Sequence, residues 1–195
     1  MNTQNTVSGV VLAGGMGRRV QRQDKGLLLF EGKTLVEHAL TAMIPVVDEV
    51  LISANRNLER YAALGHTVIA DDFGHFEGPL AGILSALRHC RGSLLLTLPC
   101  DSPRVQSHQL RRLINALQND DDIAVASDGQ RLHPVFAVLR KPLATDLETY
   151  LESGERRLQQ WFARHRVVTV DFSDQAAMFA NLNTLDDLEA LALNP

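Results

Sequence analysis

V-V-L-A-G-G-M-G-R-R-V-Q-R-Q-D-K, residues Val10 to Lys25, passes directly from a core strand into a loop suited to binding anions. Val10, Val11 and Leu12 form a short apolar run of β-favouring residues. Ala13, Gly14, Gly15 and Gly17 follow, interrupted only by Met16. Glycine lets a ligand approach the main chain with no Cβ in the way. Arg18, Arg19, Arg22 and Lys25 come next. Free backbone N–H groups followed by cations supply donors for phosphate oxygens and charge to neutralise them.

Two common phosphate templates do not fit. The G-x-G-x-x-G fingerprint, started at Gly15, needs glycine where Val20 stands. Gly32-Lys33-Thr34 resembles the end of a P-loop, but that motif needs glycine at Leu27, and Gly26 is one place out of register. Glu31-Gly32-Lys33 is better read as a turn before a helix, with Thr34 and Glu37 forming a capping box. The opening stretch is therefore read as a nucleotide site of another type.

Outward from that loop, strands and helices alternate. Leu27–Phe30 is expected as a short strand, and 34–44 as a helix ended by Pro45. Further strands are expected at 49–53, 67–70 and 93–98, with helices at 58–64, 80–89 and 107–118. Gly65 stops the first of these helices. In the second half, 123–127 and 135–139 read as strands flanking Asp128-Gly129, a hairpin or a wider loop. Helices at 143–151 and 156–165, a strand at 167–170 and a last helix capped by Thr184 complete the pattern. Such alternation implies an α/β fold, a mostly parallel sheet covered by helices on both faces. Ligands of such sheets bind beyond the carboxyl ends of the strands, which gathers Ala13–Lys25, Asn55, Asp71 and Asp101 at one edge.

With 195 residues, 45% of them hydrophobic, the chain can bury a full core and is expected to form one domain. Its net charge of -4 argues against broad nucleic-acid or membrane-surface binding. No apolar run approaches the length of a membrane span. Met1–Thr6 lacks a basic secretory start, so a cytoplasmic protein is expected. Cys90 and Cys100 form no C-x-x-C pair, which suggests neither a disulfide framework nor a thiolate zinc site.

Asp101 ends the most apolar strand and lies between Pro99 and Pro103. A carboxylate fixed there is a suitable hard ligand for Mg²⁺ on a nucleotide, and it also reads as a turn-closing residue. Asp71 and Asp72 read as base, ribose or outer-shell metal contacts, or as solvated loop acids. Arg19 and Lys25 are the candidates for phosphate neutralisation. Gly78-Pro79-Leu80-Ala81-Gly82 is either an anion-holding helix start or an ordinary one with proline near N1. The histidines are scattered, His133-Pro134 stands before a strand, and neither H-x-x-x-H nor G-x-S-x-G occurs. Arg156-Arg157 fits a second anionic substrate or a solvated helix start.

Taken together, L-A-G-G-M-G-R-R, D-K-G-L-L, E-G-K-T-L, S-A-N-R, G-P-L-A-G, P-C-D-S-P, G-E-R-R and N-L-N-T resemble the molybdenum cofactor guanylyltransferases. They occur in that family's order and span essentially the whole chain. The resemblance implies a Rossmann-like three-layer fold in a single nucleotidyltransferase domain. Mg-GTP and molybdenum-molybdopterin would be the substrates, GMP would pass to the terminal phosphate of molybdopterin, and pyrophosphate would leave.

It implies that Leu12, Ala13, Gly14, Gly15, Lys25, Ser53, Asn55, Asp71 and Asp101 contact GTP. Arg19, Lys25 and Asp101 would be catalytic, and Asp101 would bind Mg²⁺. The molybdopterin half would be C-terminal, with Arg156, Arg157, Asn181 and Asn183. Implied partners beyond the substrates are other cofactor-assembly proteins and apo-molybdoenzymes in transient contact, and the chain is read as a monomer. It departs from the family in three places. Val20-Gln21-Arg22 replaces a glycine-containing run, Ser53 stands at a usual asparagine, and Thr34 at a usual proline.

Overall fold

A computed structural model describes residues 5–14, 24–71 and 78–182. Among these, β1 (Val7–Leu12), β2 (Leu29–Phe30), β3 (Lys33–Thr34), α1 (Leu35–Met43) and β4 (Glu49–Ser53) come first. α2 (Leu58–Ala62), β5 (Thr67–Ile69), α3 (Pro79–His89), β6 (Leu94–Pro99) and α4 (Ser107–Ala116) follow. The chain continues through β7 (Ile123–Ser127), β8 (Leu132–Arg140), α5 (Leu143–Glu152), α6 (Leu158–Phe162) and β9 (Val167–Asp171). Short 3₁₀ segments occupy Lys25–Leu27, Ile44–Val46 and Ser173–Phe179.

Seven strands form one sheet in the order β5-β4-β1-β6-β8-β7-β9. All run parallel except β8, which is antiparallel to both β6 and β7. The expected mostly parallel α/β sheet is therefore present, and Asp128-Gly129 is a hairpin with Gly129 at φ 85. The alternation of side chains along β1 divides the core. Val7, Val11 and Ala13 join α1, α4 and the Ser173–Phe179 segment on one face. Val10 and Leu12 join α3, α5 and α6 on the other. Both layers exclude water, which is why β1 reads as a continuous apolar run rather than an alternating one.

Local chemistry sets the connections. Glu31 and Gly32 have φ of 47 and 79, as a two-residue hairpin turn requires, and they join β2 to β3. Gly32-Lys33-Thr34 is thus a turn and not a phosphate loop. The Thr34 N–H donates to Glu37 Oε2 at 2.7 Å, the expected capping box at the start of α1.

Several boundaries differ from expectation. Leu27 lies in the 3₁₀ turn, leaving only Leu29–Phe30 as strand. The expected helix 156–165 shrinks to Leu158–Phe162 because Arg157 is extended, with φ -94 and ψ 109. α4 stops at Ala116, since Leu117 leaves helical geometry. The strand expected at 135–139 begins three residues earlier, at Leu132. The helix expected from Thr184 lies outside the described residues.

Candidate active site

β1 has β4 on one side and β6 on the other, and the chain departs from it in opposite directions across the sheet. That is the topological switch point at which open α/β sheets bind ligands. Four neighbouring strands end there. β1 delivers Leu12, Ala13 and Gly14, β4 delivers Ser53 and Asn55, β5 leads to Asp71, and β6 leads to Asp101. Backbone bonds fix the ends to one another. Ala13 N–H donates to Ser53 O at 2.9 Å, Ala54 N–H to Ile69 O at 3.0 Å, and Cys100 N–H to Leu12 O at 3.2 Å.

Lys25 and Asp101, far apart in sequence, meet here, with Nζ 2.5 Å from Oδ2. Their side chains keep 22% and 17% exposure, so the pair stands at the rim rather than in the core. The other oxygen, Asp101 Oδ1, is buried and has no hydrogen-bond partner among the described residues. A desolvated carboxylate oxygen left this way calls for a cation or a donor.

Lys25 is held in place by its neighbour. Asp24 Oδ1 accepts from Tyr61 Oη at 2.6 Å, and Asp24 Oδ2 from Asn57 Nδ2 at 2.9 Å. The Tyr61 ring is fully buried, and burial first, then the Asp24 carboxylate, raises its phenol pKa far above the ordinary value. It stays a donor. Gly26 is what lets the turn lie so close, since a Cβ there would stand 2.4 Å from Tyr61 Oη. This Asp24–Tyr61–Asn57 tether escaped the sequence reading. Its partners are more than thirty residues apart, and Tyr61 resembles any apolar helix residue.

On the other side of the site Asn55 and Asp71 pair twice. Asn55 Nδ2 donates to Asp71 Oδ2 at 2.7 Å, and Asp71 N–H donates to Asn55 Oδ1 at 2.9 Å. Asp71 Oδ1 is a second buried carboxylate oxygen with no partner among the described residues. Ser53 is only 2% exposed. Its hydroxyl backs onto the first turn of α3, where a Cβ on Gly82 would come within 2.7 Å of it. Gly82 therefore lets α3 start directly against β1 and β4. Cys100 is sealed beneath the site, and burial, with Asp101 adding to it, pushes its thiol up to about 12.

The C-terminal candidates fall into two groups. Ser102 Oγ donates to Asn181 Oδ1 at 2.7 Å and Leu182 N–H to Asp101 O at 3.0 Å, so Asn181 lies on the Asp101 loop. Arg156 and Arg157 lie in the turn after α5, on the α3–α5–α6 face. Because β8 runs against its neighbours, α5 starts at the far edge and brings this turn back toward the edge of the site. Arg156 Nη1 donates to Leu151 O at 2.7 Å and Glu155 O at 2.6 Å, which fixes the turn. Gly15, Arg19 and Asn183 lie outside the described residues, as do Arg18, Arg22 and Asp72.

The described residues contain no cluster of three or more His, Cys, Asp or Glu side chains able to hold a metal by themselves. A Mg²⁺ that borrows most of its ligands from substrate phosphates and water needs only one or two protein carboxylates. Asp101, with its unpartnered Oδ1, fits that role. No described helix is long and apolar enough to cross a membrane.

Comparison with known proteins agrees with this geometry. Residues 9–169 match the MobA-like NTP transferase domain family. A molybdenum cofactor guanylyltransferase of Shewanella sp. (strain MR-4) is 43% identical over 187 residues, covering 95% of each chain. One from Shewanella putrefaciens is 40% identical over 189 residues, covering 96% of this chain and 97% of the other. Among solved structures, molybdopterin-guanine dinucleotide biosynthesis protein A from Archaeoglobus fulgidus superposes with a TM-score of 0.75 at 24% identity, over 94% of this chain and 95% of that one. A CMP:2-keto-3-deoxy-manno-octonic acid synthetase complexed with CTP gives 0.72 at 16% identity, over 96% and 97%. At these identities the two structures speak for the fold alone.

Proposed function

The chain belongs to the molybdenum cofactor guanylyltransferase family, and from that premise we propose that it transfers GMP from Mg-GTP to the terminal phosphate of molybdenum-molybdopterin. A molybdopterin phosphate oxygen bonds to the α-phosphorus of GTP as the bond from that phosphorus to the bridging oxygen breaks, and pyrophosphate leaves. The observation that carries this reading is the Lys25–Asp101 pair at the strand crossover, with Asp101 Oδ1 buried and unpartnered among the described residues.

A phosphate monoester is already anionic near neutral pH, so the site has little proton transfer to perform. Its tasks are to align two anions that repel each other and to neutralise the leaving group. Leu12, Ala13, Gly14 and Gly15 present main chain to the nucleotide. Lys25 and Arg19 balance the phosphate charge. Asp101 would hold Mg²⁺, which when bound would supply charge neutralisation for the departing pyrophosphate.

Asp71 Oδ1 is the open acceptor for guanine or ribose N–H and O–H groups. Asn55 aims it, and Ser53 backs the pocket. Arg156 and Arg157 meet the anionic parts of molybdopterin, and Asn181 and Asn183 its polar edge. The N-terminal half of one domain thus handles GTP and the C-terminal half molybdopterin. The protein works as a cytoplasmic monomer, in transient contact with cofactor-assembly proteins and apo-molybdoenzymes.

Asp101→Asn tests the reading. It keeps the size of the side chain and removes its charge. GMP transfer in Mg²⁺ should be lost while the far-UV spectrum and melting temperature stay near those of the parent. Full activity in that variant would refute the role of Asp101.

A further inference from the structure

β8 carries His133 to the carboxyl edge of the sheet, opposite Ala126 near the end of β7. Its ring is doubly fixed there. Nε2 lies 2.8 Å from Asp128 Oδ2 across the hairpin. The ring stacks face to face on Phe179, with centroids 3.7 Å apart and planes 3° from parallel. Asp128 is itself anchored, since its Oδ1 accepts the Gln130 and Arg131 N–H groups at 2.9 and 2.8 Å. The His133 contact and then these backbone donors hold its carboxyl well below the usual range.

Phe179 ends the Ser173–Phe179 segment, and the next residues are those that grip the Asp101 loop. Asn181 Oδ1 accepts from Ser102 Oγ, Leu182 N–H donates to Asp101 O, and Leu182 is buried against Phe30 and Leu35. Asp128, His133, Phe179 and the 180–182 segment thus form one continuous line of contacts ending at Asp101. Because Nε2 is engaged by Asp128 and one ring face is covered by Phe179, His133 is placed to hold this segment rather than to touch a reacting phosphate.

We infer that His133, oriented by Asp128, is a positioning residue that clamps the 179–182 segment onto the Asp101 loop and so sets the affinity for the pterin substrate. This rests on the reading of Asn181 as a molybdopterin contact. A face-to-face ring pair together with a charge-assisted contact is worth at least about a tenfold change in an equilibrium. The clamp acts on the acceptor side, because the GTP-side groups are tied by their own bonds, Asp24 to Tyr61, Asn55 to Asp71 and the Asp101 carboxylate to Lys25, with Cys100 N–H on Leu12 O beside it.

The test compares His133→Ala, His133→Phe and Asn181→Ala in full-length protein. Amide hydrogen exchange and steady-state kinetics are measured with each substrate varied in turn. In His133→Ala the Leu182 amide should exchange about tenfold faster, and KM for molybdopterin should rise about tenfold. KM for GTP and kcat should stay within about twofold, since the Asp101 carboxylate keeps its own anchor on Lys25 when the segment loosens. His133→Phe, which keeps the stack, should recover most of both effects. A variant that merely folds less well would lower kcat through the active fraction and leave both KM values alone.

Unchanged Leu182 exchange in His133→Ala would overturn the clamp, as would equal rises in both KM values. If Asn181→Ala leaves KM for molybdopterin unchanged, the assignment of that segment to the pterin fails instead, and the Leu182 exchange rate then decides the clamp alone.

Discussion

Gly26→Ala tests how Lys25 is positioned, through a residue that touches no substrate. A Cβ at position 26 would lie 2.4 Å from Tyr61 Oη, 3.3 Å from Tyr61 Cζ and 3.3 Å from Ala13 Cβ. The Tyr61 ring is fully buried and cannot swing away, so its hydroxyl must leave Asp24 or the 3₁₀ turn must move. Overpacking of this kind costs about 1–3 kcal/mol. Losing a hydrogen bond to a charged group adds about 1.5 kcal/mol, and the reduced entropy of the unfolded chain returns about 0.4–1 kcal/mol. The net expectation is a loss of about 1.5–4 kcal/mol in urea unfolding, with weaker GTP binding.

Tyr61→Phe removes the clashing oxygen and should by itself cost about 1–2 kcal/mol. In the Tyr61→Phe background the nearest ring atom is then Cζ, at 3.3 Å. There Gly26→Ala should cost only a few tenths of a kcal/mol, giving a coupling of about 1–3.5 kcal/mol between the two sites. The assay is a double-mutant cycle by urea denaturation, with GTP affinity measured on the same four proteins. Additivity within about 0.5 kcal/mol would refute the contact on which the reasoning stands. Full GTP affinity in a destabilised Gly26→Ala protein would refute the claim that the tether holds Lys25.

Three further outcomes follow from the same geometry. Lys25→Met keeps the stem but removes the charge beside Asp101, and it should lower kcat/KM for GMP transfer by about 10²–10³ with little change in melting temperature. Gly82→Ala would gain about 1 kcal/mol in helix propensity, yet its Cβ would sit 2.7 Å from Ser53 Oγ and 3.0 Å from Leu12 Cδ2. A net loss of about 1–2 kcal/mol, with a raised KM for GTP, is expected from thermal melts and initial rates. Acid should destabilise the fold from about pH 4 downward. The carboxyl of Asp122 is held low by Arg166, that of Glu37 by Thr34 and that of Asp128 by His133. A depressed folded value means that the stabilisation is present above the unfolded pKa and disappears as pH falls through the folded one. Urea midpoints should therefore stay nearly level from pH 7 to 5 and then decline, less steeply in Asp122→Asn.

The sheet and the edge of the site were legible because their signals are local. V-V-L at the start of the chain and L-L-L-T-L before Asp101 are apolar on both faces, as buried parallel strands are. Thr34 and Glu37 sit at capping-box spacing, and that bond forms. Strand ends in a parallel sheet share one edge, so Ala13, Asn55, Asp71 and Asp101 could be placed together without any contact being known. The direction of β8 was not legible. Nothing in its composition separates an antiparallel strand from a parallel one, and the early residues Leu132, His133 and Pro134 carry no apolar alternation.

Contacts between distant residues were hidden for the same reason. Asp24 with Tyr61 and His133 with Phe179 depend on the path of the chain, not on any spacing within it. The short helix α6 was overextended because Arg156 and Arg157 have good helix propensity, whereas Arg156 instead bonds the carbonyls of Leu151 and Glu155.

The most direct test of guanylyl transfer uses GTP, CTP and ATP labelled at the α-phosphate, each with Mg²⁺ and molybdenum-molybdopterin, and follows label entering the pterin product and pyrophosphate released. Label should enter from GTP, with one pyrophosphate released per GMP transferred and at most traces from CTP or ATP. Equal or greater incorporation from CTP would contradict the base assignment at Asn55 and Asp71. Absence of label from all three would contradict the transfer itself.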